Sequence, residues 1–180
     1  MNLTKKITLS GILTAFGVLI PQAFHIFGMA AGTMFLPMHI PVLMAGFIVG
    51  PGWALIVGIL SPLLSSLITG MPPAIRLPYM VCELAIYGFV VGFLYHICKL
   101  HKHKLGIYIS LIGGMIVGRI VYIGAFAFLV NAIGIAPISQ GSILAVIKSF
   151  PEGIIGMVIQ IIFIPPIIYA LKKAKLITLS

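Results

Sequence analysis

The chain of 180 residues contains no aspartate and only two glutamates, Glu83 and Glu152, and its charged residues together make up 7%. Soluble domains carry about 25% charged residues, so an ordinary solvated surface is excluded. Without aspartate there is no aspartyl protease. The chain also lacks His-Glu-x-x-His, Gly-x-Ser-x-Gly and Walker A patterns, so metalloprotease, serine hydrolase and ATPase chemistry have no residues to run on. Cysteine is scarce as well. Cys82 and Cys98 lie sixteen residues apart on one expected helix, about 24 Å at 1.5 Å per residue, too far to bridge. Two thiols alone make no metal site, and no metal or cofactor is expected.

What is present is apolar. With 61% hydrophobic residues and a mean hydropathy of +1.26, the composition is that of an integral membrane protein. At roughly 20–25 residues per span, the length holds about six helices and no soluble domain. The expected fold is all-α, a single six-helix transmembrane domain over residues 1–180. The net charge of +9 does not indicate nucleic acid, because eight of the eleven basic residues flank expected helices. Lys5 and Lys6 precede the first, Lys99, Lys102 and Lys104 separate the fourth from the fifth, and Lys172, Lys173 and Lys175 follow the last. Basic clusters mark the cytoplasmic side, which puts both termini inside. The apolar run after Lys5-Lys6 has the layout of a signal peptide, but five more spans follow it, and it reads as a retained first helix.

Glycine and proline divide the chain into helices expected at 6–24, 35–50, 53–69, 77–98, 105–133 and 142–171. The second is short and carries Pro37 and Pro41 near its start. Irregular backbone at membrane depth survives only where protein or a water-filled cavity covers it, so the outer half of this helix is a cavity candidate. The outer loops at 23–34, 70–76 and 134–141 (loops 1, 3 and 5) are rich in glycine and proline yet nearly uncharged. Such segments pack over something, either the helix ends or a binding cavity.

Glu83 and Arg119 each fall inside an apolar run. Glu83 lies about 22 Å above the Cys98 end of its helix and Arg119 about 21 Å above Leu105, so they share a depth. A charge there costs several kcal/mol unless it is paired or lines a polar cavity. Two readings follow: an ion pair pinning two helices, or groups that face a ligand. Tyr79, Glu83 and Tyr87 recur at helical spacing, as do Arg119, Tyr122 and Phe126, and Glu152, Gly156 and Gln160. Aromatics among few polar groups suit a small-molecule pocket, while Tyr79 and Tyr122 equally suit an interfacial belt. Arg76 and Lys148, near outer helix ends, either hold an anion or snorkel to headgroups, the latter chiefly for Lys148. Asn131 reads as a loop cap or a ligand contact. His25 and His39 read as packing or rim residues, with His39 kept as a substrate contact. The candidate contacts are therefore His39, Arg76, Tyr79, Glu83, Tyr87, Arg119, Tyr122, Asn131 and Glu152. On the first helix, Gly11 and Ala15 are four apart and form a small face, which in lipid is covered by another helix, its own or a partner's.

The stretch His39-Ile40-Pro41-Val42-Leu43-Met44-Ala45-Gly46, then Gly50-Pro51, then Ser61-Pro62-Leu63-Leu64-Ser65-Ser66-Leu67-Ile68-Thr69-Gly70-Met71-Pro72-Pro73, then Glu83-Leu84 and Tyr87-Gly88, resembles the substrate-binding S component of energy-coupling factor (ECF) transporters. Within that family it is most similar to the group including pantothenate, hydroxymethylpyrimidine, folate and queuosine-precursor carriers. The resemblance implies a prokaryotic plasma-membrane vitamin-uptake subunit that captures substrate under loops 1, 3 and 5. It also implies a transmembrane T component and two cytoplasmic ATPases as partners, and a toppling of the chain in the membrane to release its cargo. Members dock on the T component through Ala-x-x-x-Ala on the first helix. Gly11 and Ala15 match that pair, with glycine departing from the motif but keeping small-xxx-small. Pantothenate is the first candidate substrate. A self-contained proton- or sodium-coupled carrier using Glu83 is the alternative, and an integral-membrane enzyme lacks a catalytic pair.

Overall fold

A computed structural model describes residues 1–26, 28, 32, 34–133 and 143–174, without the side chains of 25, 130–133 and 143–152. Among the described residues all regular structure is helical. The long elements are α1 (Leu3–His25), α2 (His39–Val49), α3 (Pro51–Thr69), α4 (Leu77–Gly92), α5 (Gly106–Ile133) and α6 (Ile143–Lys173). A π turn, Phe93–Ile97, prolongs α4, and a short 3-10 turn, Leu100–Lys102, leads to α5.

Among the described residues, five helical stretches are long and apolar enough to cross a membrane: Leu3–Phe24, Pro51–Thr69, Leu77–Ile97, Gly106–Leu129 and Gly153–Lys173. The exception is α2, with 11 residues. It starts later than the expected 35–50 because Leu36 takes a left-handed φ of 49°, and the helix begins only beyond the turn that His39 N–H closes on the Leu36 carbonyl. It ends at Gly50, whose φ of 90° suits only glycine, and Pro51 opens α3 at a position where its missing N–H costs nothing.

The short helix is the centre of the molecule. Val42, Leu43, Ala45 and Phe47 are wholly buried, and α2 is apolar all round because α1, α3, α4 and α6 surround it. Backbones approach closely around it. A Cβ added at Gly46 would meet the Gly88 carbonyl at 2.9 Å, one at Gly88 would meet the Ala54 carbonyl at 2.7 Å, and one at Gly58 would run into the Leu84 carbonyl. Ala54 and Gly58 thus make a small-xxx-small seam on α3 that packs against α4, the packing that replaces hydrophobic drive inside lipid. The helix ends sort by chemistry. Lys5, Lys6, Lys99, Lys102, Lys104 and Lys172 lie at one end of the bundle, and the α1–α2 and α3–α4 connections lie at the other.

Candidate functional site

The α3–α4 connection is proline-rich, and prolines leave carbonyls without neighbouring N–H donors. Hydroxyls at the end of α3 supply them: Ser65 Oγ donates to the Met71 carbonyl at 2.7 Å and Ser66 Oγ to the Pro72 carbonyl at 2.8 Å. The Met71–Pro72 peptide is cis. Residues 71–73 lie beside residues 36–39 at the entry to α2, and together they line a cavity of about 230 Å³. Its walls come from the end of α1 (Pro21), loop 1 (Gly32), residues 36–39, Ser65, loop 3 and the start of α4 (Arg76 and Met80). The outer half of the short second helix and loops 1 and 3 therefore meet at one space.

Of the residues singled out in the sequence, His39 and Arg76 line this cavity. The others stand behind it or beside it. Glu83 is 3% exposed, with Oε1 3.1 Å from Arg119 Nη1 and 3.7 Å from His39 Nε2. The first contact is a close ion pair and the second is too long for a hydrogen bond. His39 is 2% exposed, and neither ring nitrogen has a hydrogen-bond partner among the described residues. Its ring meets that of Tyr87 edge-on with centroids 5.1 Å apart, and Gly118 of α5 lets the Tyr87 ring lie against the backbone. The shared depth of Glu83 and Arg119 is thus a direct contact, extended by His39 into the cavity wall.

Tyr79 and Tyr122 form a separate aromatic group. Their centroids are 5.2 Å apart in T-shaped contact, Phe126 lies 5.5 Å from Tyr79, and the Arg119 guanidinium carbon is 6.0 Å from the Tyr122 ring centre. That group sits between α4 and α5 beside the ion pair, and neither tyrosine is part of the cavity wall. Asn131 and Glu152, with loop 5 and Lys148, lie outside the described side chains. The α6 face expected from Glu152, Gly156 and Gln160 is described at the last two: Gly156 admits the Phe35 carbonyl, and Gln160 Nε2 donates to the Leu36 carbonyl at 3.3 Å. Gln160 thereby holds the strained Leu36 backbone that aims residues 36–39 at the cavity.

Sequence reasoning did not name Ser65, Met38, Met71 or Met80 as substrate contacts, although they line the same space. A hydroxyl cluster, Ser65-Ser66-x-x-Thr69, directly before a proline-rich loop was the available signal for the serine. The methionines carried none, being indistinguishable in sequence from lipid-facing residues.

On α1 the small pair faces away from the other described residues. Gly11 and Ala15 are exposed, nothing lies within 4 Å of a Cβ added at Gly11, and Leu13, Ser10 and Thr14 form the buried side.

A family model described as the substrate-specific component of ECF transporters matches residues 5–168. No curated protein and no solved structure gives a match.

Proposed function

The chain belongs to the family of ECF-transporter substrate-specific components, a multi-pass membrane transport subunit, and on that premise we propose that it captures a small vitamin-like molecule in the cavity under loops 1 and 3. Capture is outside the cell. The lysine-bearing end is the cytoplasmic one by the positive-inside bias, so the cavity opens on the opposite, outer side. The arrangement is six membrane segments with α2 as a short buried one, both termini cytoplasmic, in a prokaryotic plasma membrane. His39 and Arg76 contact the substrate directly. Glu83, Arg119 and Tyr87 fix His39 from behind, and Tyr79 and Tyr122 brace α4 against α5. Pantothenate remains the first substrate to try.

The observation that carries this reading is the cavity itself, lined by residues 71–73, Gly32 and Arg76 beside the start of a short buried helix. Transport energy comes from elsewhere, since the chain has no nucleotide-binding motif. A T component and two ATPases supply it, with the uncovered Gly11–Ala15 face of α1 as the docking surface. The alternative, an ion-coupled carrier using Glu83, is disfavoured by the 3.1 Å contact that ties Glu83 to Arg119 outside the cavity wall. Co-expression with a T component and its ATPases tests the assembly: the four proteins are expected to co-purify. Recovery of the chain without them from membranes where all are present would count against it.

A further inference from the structure

Resting on the binding-subunit reading, we infer that the substrate is a small anion with an apolar body, its charge held by Arg76 and one polar atom met by His39. Charge is the first ground. Arg76 lines the cavity and has no carboxylate partner among the described residues. The only described acid nearby, Glu83, is matched by Arg119 at 3.1 Å, so the described fixed charges around the space sum to one positive, that of Arg76. Two helices also begin at this wall. Leu36, Pro37, Met38 and His39 bring in the N-terminus of α2, Arg76 is the N-cap of α4, and neither first turn contains an acid. Both dipoles point their positive ends at the space. The N–H groups of His39 and Ile40 are already taken by the Leu36 and Pro37 carbonyls. The helices therefore contribute field, and direct contact falls to side chains.

His39 is the second ground. It is a buried imidazole on the cavity wall whose Nδ1 has no protein partner among the described residues, and buried polar atoms are rarely left so. A ligand oxygen or nitrogen there satisfies it. The third ground is the remaining wall. Met38, Met71, Met80 and Leu36 with the prolines present thioether and hydrocarbon, which favour an apolar body over a polyhydroxylated one. Ser65 adds little, because its hydroxyl proton is committed to Met71. Size completes the description: about 230 Å³ is below the roughly 300–1,000 Å³ of pockets for drug-sized ligands.

The test incubates the purified full chain with a deproteinised extract of its host cells, removes unbound solutes, and identifies what is bound by mass spectrometry in both polarities. A small acid is expected, with occupancy about tenfold or more lower in Arg76→Gln and partly kept in Arg76→Lys, the size of one charge-assisted contact. Unchanged thermal unfolding of both variants shows that the loss is not misfolding. A neutral or cationic bound molecule, or an acid bound equally well by Arg76→Gln, overturns this inference and leaves the binding-subunit reading in place. A folded chain that retains nothing from the extract overturns that reading, and this inference with it.

Discussion

Two charges share one oxygen environment at the heart of the molecule, and what they do there decides how mutations at them behave. Glu83 and Arg119 are close enough for their attraction to offset desolvation, but removing one leaves the other buried and uncompensated. Glu83→Ala and Arg119→Ala are each expected to destabilise by about 3–5 kcal/mol, read as lost folded yield on size-exclusion chromatography. Replacing both with leucine is expected to restore yield. Substrate binding should then return only in part, since His39 loses its neighbour behind the wall. Full binding in the double variant would show that the pair serves helix packing alone, and failure of yield to recover would mean that a further group depends on the charges. Their shared depth was legible in the sequence because helical rise is fixed, so equal distance from the helix ends places two charges at one level; that they pair was one of two readings. The approach of His39 was not legible. It depends on how α2 sits against α4, and that is set by close contacts at Gly46 and Gly88 which no periodicity reports.

At the scale of helices, the small residues divide into two kinds, and sequence alone does not tell them apart. Gly58 lies against the Leu84 carbonyl, whereas Gly11 has open space. Gly58→Leu is therefore expected to abolish folded protein. Gly11→Leu combined with Ala15→Leu is expected to leave folding and substrate binding intact and to abolish ATP-dependent uptake by the assembled complex. Unaltered uptake by that double variant would move the docking surface elsewhere on the chain. The helices themselves were legible from glycine and proline punctuation, to within a few residues at most ends. The entry to α2 was not, because the positive φ at Leu36 is imposed by tertiary contacts, with Gln160 holding its carbonyl, and leucine gives no local hint of it. Loop 3 is fastened to the end of α3 by the Ser65 and Ser66 hydrogen bonds, and residues 71–73 line the cavity. A cysteine at Met71, in a background where the exposed Cys82 and Cys98 are replaced by alanine, should react with an impermeant thiol reagent from outside. The reaction should slow when the chain has been loaded from a cell extract. Equal rates in both states would argue that loop 3 does not cover the substrate.

For the whole molecule, the scarcity of charge says most: with two acids, and with eight of nine lysines flanking expected helices on one side, the positive-inside bias is the basis for the proposed orientation. The chain also lacks a Walker A pattern, and under the proposed function the energy for import is supplied by partner ATPases. Membership of the ECF substrate-specific component family agrees with that dependence. The substrate was not legible, because the residues lining the candidate cavity are mostly methionines and prolines, which the sequence does not separate from lipid-facing ones. The central claim is capture by this chain and import by its partners. It is tested most directly by uptake of radiolabelled substrate, identified from the bound extract, into proteoliposomes holding the chain alone or the complete complex. The account predicts binding but no accumulation with the chain alone under any proton or sodium gradient, and accumulation by the complex only with ATP on the side of the ATPases. Gradient-driven accumulation by the chain alone would contradict it.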